Sequence, residues 1–162
     1  MNPCPCGFAG HPARACRCTP LAVQTYHDRV SGPLRDRLDL TVELAPLAFD
    51  TLTTGPPGEA SAEVRRRVEL ARARQRGRAA PGVAALNSRL TPRALDRVAA
   101  LEDSSRTRLA AAAARLHLSG RAVHRVLRVA RTVADLGGSD AVDETHLLEA
   151  LQFRNSASAD PG

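Results

Sequence analysis

The 162-residue sequence contains no lysine, and all 23 of its basic residues are arginine. A P-loop needs a lysine to reach the β- and γ-phosphates of a nucleotide, and nothing here substitutes for the G-x-x-x-x-G-K-[ST] string. The chain alone is therefore expected to be inactive as a P-loop ATPase. Aromatic residues are almost as scarce, with Phe8, Tyr26, Phe49 and Phe153 the whole set and no tryptophan. A core must then come from leucine, valine and alanine, and base stacking is excluded as the main mode of any nucleic-acid contact. No apolar run approaches the roughly 18 residues that read as a membrane span, and no charged-then-apolar signal pattern opens the sequence. No membrane partner is expected. The cytoplasm is the expected compartment, where thiols stay reduced.

The formal charge of +6 and pI near 10.3 favour acidic partners, nucleic acid the commonest among them. A compositional preference for arginine and alanine would give the same numbers. All four cysteines fall in Cys4-Pro5-Cys6 and Cys16-Arg17-Cys18. Two C-x-C pairs nine residues apart can fold back into one tetrahedral cluster of four thiolates, which suits a structural zinc ion. Reduced free thiols and disulfides are the other readings, the last disfavoured in a reducing compartment. Four thiolates on Zn²⁺ carry about −2, which His11, Arg14 and Arg17 are placed in sequence to offset.

Residues 1–45 read as the tail of an α/β layer. Thr19-Pro20 caps and opens a helix through Tyr26 and Arg29 that Gly32-Pro33 ends. Leu38, Leu40, Val42 and Leu44 alternate with polar residues, which predicts a half-buried strand closed by Pro46, with unpaired edges unless other strands join it. Residues 46–60 read as a linker, with turn chemistry from Asp50 to Gly58. Helical spacing follows over 61–155. One helix carries Val64, Val68 and Ala71 among many arginines, and others open at Thr91-Pro92, at Ser104 or Ser105, at Ser119 and at Asp143. Residues 156–162 are expected to be a disordered tail. The predicted class is mainly α, an α/β remnant followed by an all-α bundle.

The strings MNPCPCG, CRC and SGPLRDRLDL, with the tyrosine-bearing helix between them, resemble the ComM/YifB magnesium-chelatase-like AAA+ ATPases, relatives of the MCM helicases and magnesium chelatase. So does LSGRAVHRVLRVARTVADL near the other end. The resemblance implies the C-terminal portion of such an ATPase, running from sensor 1 through the last strand of the core into the helical lid. A truncated gene, a misplaced start or an excised fragment would each account for that span. By the resemblance, Asn2 is sensor 1, which orients the attacking water. Arg37, between two aspartates, is the arginine finger, and Arg121 is the sensor 2 arginine that reaches ATP with its Mg²⁺ from the lid. The residues alone allow plainer readings: a turn at Asn2, a surface ion pair of Arg37 with Asp36 or Asp39, and an amphipathic arginine-rich helix around Arg121. Arg35 stands where the family pattern has leucine, Gly120 where it has alanine and His124 where it has tyrosine.

The first functional expectation is a part of a hexameric, DNA-remodelling motor associated with branch migration. The second is a non-catalytic basic module that binds DNA or a partner, with a structural zinc site. The third is a magnesium chelatase subunit, against which the C-P-C/C-R-C insert argues. The arginines of the helix from Ser61 to Arg78 could grip DNA phosphates or form a solvated face.

Overall fold

The computed structural model describes residues 1–35, 37–47 and 49–155. The expected disordered tail, Asp36 and Ala48 lie outside the described residues. The chain forms two compact units, Met1–Leu38 with Glu43–Gly55, and Asp39–Val42 with the chain from Pro56 onward.

In the first unit, α1 spans Pro20–Asp28, its end capped as the sequence predicts by the Thr19 hydroxyl accepting from the Ala22 amide. The helix stops at Arg29, and Gly32-Pro33 opens a separate single turn, α2, Gly32–Arg35, where proline is tolerated because a first-turn N–H has no helical partner. Helix α3, Phe49–Thr54, stands where turn chemistry was expected. The hydroxyls of Thr53 and Thr54 bond back to the carbonyls of Phe49 and Asp50, so they serve the helix backbone instead of competing with it.

The half-buried strand is corrected. Residues 40–47 carry no ladder, and among the described residues the one β-bridge is an isolated pair, Ala80 with Val83. A strand requires a neighbour for its N–H and C=O groups, and no second strand exists among the described residues to supply one. Leu38, Leu40, Val42 and Leu44 are exposed, Leu44 at 89%.

The second unit is a helical bundle of α4 (Ser61–Gly77), a 3₁₀ turn (Asn87–Arg89), α5 (Pro92–Val98), α6 (Asp103–Arg115), α7 (Gly120–Leu136) and α8 (Glu144–Asn155). Helix α7 is the hub, packed on α8, α4, α5 and the 3₁₀ turn, while α6 packs on α8. Its inward stripe of Ala122, Val126, Ala130 and Ala134 repeats every four residues, and the alanines let neighbouring backbones come close. Val126 is buried in this stripe, while Val123 is only partly covered. Leu90, Leu95, Leu109, Leu127, Leu147 and Leu151 complete the core, each contributing about 1.5–3 kcal/mol of burial. The hydroxyls of Thr91 and Ser119 cap α5 and α7 as their sequence positions predict. Helix α6 begins at Asp103, just ahead of the predicted serines.

Helices α6 and α7 end alike. After α7, Gly138 takes a positive φ of 76° while the amides of Gly138 and Ser139 return to the carbonyls of Asp135 and Ala134. His117 does the same after α6 at φ 49°, with its own amide and that of Leu118 bonding Ala114 and Ala113.

Candidate functional site

The cysteines lie just ahead of α1 and are drawn together by loop geometry. The Gly7 amide bonds the Cys4 carbonyl at 3.0 Å, and Gly7 itself sits at φ +82°, a turn that glycine adopts without steric cost. His27 of α1 donates from Nε2 to the Pro3 carbonyl at 2.9 Å and ties the loop to the helix. Cys4 is wholly buried and the other three are half-buried. Sγ of Cys4 lies 3.4 Å from Cys6 and 3.6 Å from Cys16, Cys6 and Cys16 are 3.6 Å apart, and all four sulfurs fall within 4.8 Å of one another. A tetrahedral S₄ site with metal–sulfur bonds of about 2.3 Å requires sulfurs roughly 3.8 Å apart. The four cysteines fit a metal ion.

Their electrostatics point the same way. Backbone amides of Arg17 and Phe8, and then the Cys4 side chain, bring Cys6 down to about 6. A backbone amide from Cys6 favours the Cys18 thiolate too, but the sulfurs of Cys6, Cys16 and Cys4 together with burial outweigh it and push Cys18 up to about 12. Four sulfurs this close cannot all ionise unaided, and a dication among them removes the conflict. Arg14, placed in sequence to offset the cluster's charge, has its guanidinium 4.1 Å over the Phe8 ring, which also meets His11 edge-on.

Asn2 is exposed at the entry to this loop, its side-chain amide next to Gly7. Arg37 is exposed and donates from Nη1 to the Pro33 carbonyl at 3.1 Å. Arg121 is exposed in the first turn of α7, with no partner among the described residues. The other arginines of that helix are engaged within the second unit. Arg125 pairs with Asp39 at 3.1 Å, Arg128 donates to the Leu90 carbonyl at 3.0 Å, and Arg131 is buried completely. Asp39, weighed from sequence as a partner of Arg37, is thus held by Arg125, 86 residues away.

Sequence reasoning missed a buried polar cluster. Asp135 receives both terminal nitrogens of Arg78 at 2.6 Å, Nδ2 of Asn87 at 2.8 Å and Nε of Arg131 at 3.2 Å. Arg131 also donates to the carbonyls of Ser139 and Asp140. Burial alone would raise the Asp135 carboxyl, but the bonds from Arg78 and Asn87 and the charge of Arg131 prevail and hold it below the usual carboxylate range. The signal was present in α7: Arg131 and Asp135 follow Leu127 at steps of four and so lie on its inner face.

Comparison with known proteins places these features in a family. The sequence model described as magnesium chelatase, subunit ChlI, matches residues 1–52, and that described as magnesium chelatase, subunit ChlI C-terminal, matches residues 58–154. The competence protein ComM of Haemophilus influenzae is 39% identical over 95% of this chain, and the uncharacterised protein YifB of Escherichia coli is 39% identical over the same share. An uncharacterised protein of Mycobacterium tuberculosis is 34% identical over 97%. The chain spans 29% of the length of ComM and of YifB, and 31% of the mycobacterial protein. With two such matches in tandem along it, the chain belongs to the magnesium chelatase subunit ChlI family, as a ComM- and YifB-like member.

Proposed function

We propose that this chain supplies the sensor, arginine-finger and lid portion of a hexameric AAA+ ATPase that remodels DNA by branch migration in the cytoplasm. Asn2 is sensor 1, Arg37 the finger, and Arg121 sensor 2, with a structural zinc ion on Cys4, Cys6, Cys16 and Cys18. The observation that carries the reading is the 39% identity to ComM over 95% of the chain, beside family matches over residues 1–52, which hold Asn2, the cysteines and Arg37, and over residues 58–154, which hold Arg121. The competence designation of that relative and the net charge of +6 support DNA as the substrate.

The three residues act on the phosphate end of ATP. A carboxamide at Asn2 can orient a water, and guanidiniums at Arg37 and Arg121 meet charge that grows in the transition state. Arg121 lies in the first turn of α7, at the positive end of the helix dipole, which favours an anion there. The test joins this chain to the P-loop-bearing remainder of ComM. The chain alone should show no ATP turnover, while the joined protein turns over and loses about 10²-fold on Asn2→Ala or Arg121→Ala. Turnover by the isolated chain that Arg121→Ala abolishes, or a joined protein indifferent to both changes, would overturn the assignment. The latter result would favour the non-catalytic basic module.

The zinc site has its own expected outcome. Bound zinc supplies a cross-link and no chemistry, since four protein sulfurs leave no position for water. Protein purified without chelators should hold one zinc ion per chain by elemental analysis, and Cys16→Ser should lose it. Chelation should speed amide hydrogen exchange in residues 1–30 and leave α5–α8 unchanged, because the bundle has a core of its own. Metal-free protein, or uniform loosening, would count against the site.

A further inference from the structure

Helix α4 sorts its arginines by what they face. Arg78 and Arg74 reach Asp135 and Asp140 of the bundle, while Arg66 and Arg67 pair with Glu63 and Glu59. Arg65, Arg72 and Arg76 meet no carboxylate among the described residues, and Arg72 touches only the Gln75 carboxamide. All three are exposed. At 100° per residue they fall within about 40° of one another around the helix, spaced roughly 10 and 6 Å along its axis. Glu69 is the one acid on this stripe, between Arg65 and Arg72. The flank that holds Ala71 and Gln75 is buried, so the helix cannot roll to hide the stripe.

We infer that Arg65, Arg72 and Arg76 form a sequence-independent contact for the phosphate backbone of duplex DNA, an inference that rests on the DNA reading above and gives it a surface. Guanidiniums bind phosphate oxygens through paired N–H donors, and three unneutralised ones on a rigid helix match a polyanion better than a single charged ligand. Helix α4 has no aromatic residue, and its one carboxamide, Gln75, is buried, so it is built neither for stacking on single strands nor for reading adenine edges. Guanidiniums spaced along one face of a helix suit backbone contact, in which each phosphate neutralised adds about 0.9 to the slope of log affinity against log salt.

The experiment measures binding of the full chain to a fluorescent 30-base-pair duplex between 50 and 200 mM salt. Four proteins are compared: the native chain, the triple variant Arg65→Gln, Arg72→Gln, Arg76→Gln, a control triple, Arg89→Gln, Arg93→Gln, Arg115→Gln, and the single variant Glu69→Gln. The control removes the same charge from exposed arginines of the same unit. The stripe variant should lose about 2.7 from the slope, so that its affinity changes about 40-fold less over that salt range than the native chain's. The control should keep a slope near the native one, and Glu69→Gln should tighten binding. Equal slopes for the two triples, with native binding intact, would reject the stripe and leave the DNA reading standing. Absence of binding by the native chain would reject both. All seven changed positions are exposed, and an unchanged helical circular-dichroism melt confirms that the fold is not the variable.

Discussion

Asp135→Ala is expected to cost the helical unit about 3–5 kcal/mol, because it strands two guanidiniums that the fold has already desolvated. Arg131 has no exposed surface and Arg78 is mostly covered, so neither can recover its interactions by turning to water. Arg78→Ala should cost less, since Asp135 would keep Arg131 and Asn87. Urea unfolding followed by helical circular dichroism at pH 7 gives both numbers. A loss below about 1 kcal/mol for Asp135→Ala would show that the cluster is not a structural centre of the bundle. The sign with pH follows from the depressed carboxyl. Stability from the ionised Asp135 is fully present above its unfolded pKa of about 3.9, and it disappears as pH falls through the lower folded value. The gap between native protein and Asp135→Asn should therefore narrow below about pH 4. A gap that is constant from pH 7 to pH 3 would mean that the charge contributes nothing.

That cluster also marks where sequence reasoning reached its limit. Caps at Thr19, Thr91 and Ser119 were legible because a hydroxyl and an amide three residues on define them without reference to the rest of the chain. The four cysteines were legible for the same reason, lying within fifteen residues. The alternation from Leu38 to Leu44 predicted a strand, yet period two specifies only which face is apolar and not whether a neighbour exists to complete the ladder. Arg125 with Asp39, and Arg78 with Asp135, join positions 86 and 57 residues apart, a separation at which no local rule selects a partner. The threonines of α3 were misjudged because their hydroxyls suit turns and helix backbones alike.

Arg37→Ala should lower ATP turnover of the ring assembled from this chain and the ComM P-loop segment by about 10³-fold or more while leaving nucleotide affinity nearly unchanged. An arginine finger acts across a subunit boundary, on charge that develops at the γ-phosphate of the neighbour's nucleotide, so its loss falls on kcat and not on binding. Arg37 is exposed, as a residue that serves another subunit must be. Arg35 is exposed two residues before it and is the natural control. The family pattern has leucine at that position, so Arg35→Ala should change turnover only a few-fold at most. Single variants cannot separate a finger from a residue that shapes its own subunit, and mixing can. A subunit with Arg37→Ala still offers a sound nucleotide site to its neighbour's finger, whereas one lacking the P-loop lysine still offers a sound finger. Rings built from the two should recover turnover at each interface where the sound elements meet, in proportion to the statistical frequency of that pairing. Mixed rings that form without recovering activity, or an Arg35→Ala ring weaker than an Arg37→Ala ring, would remove Arg37 from the role.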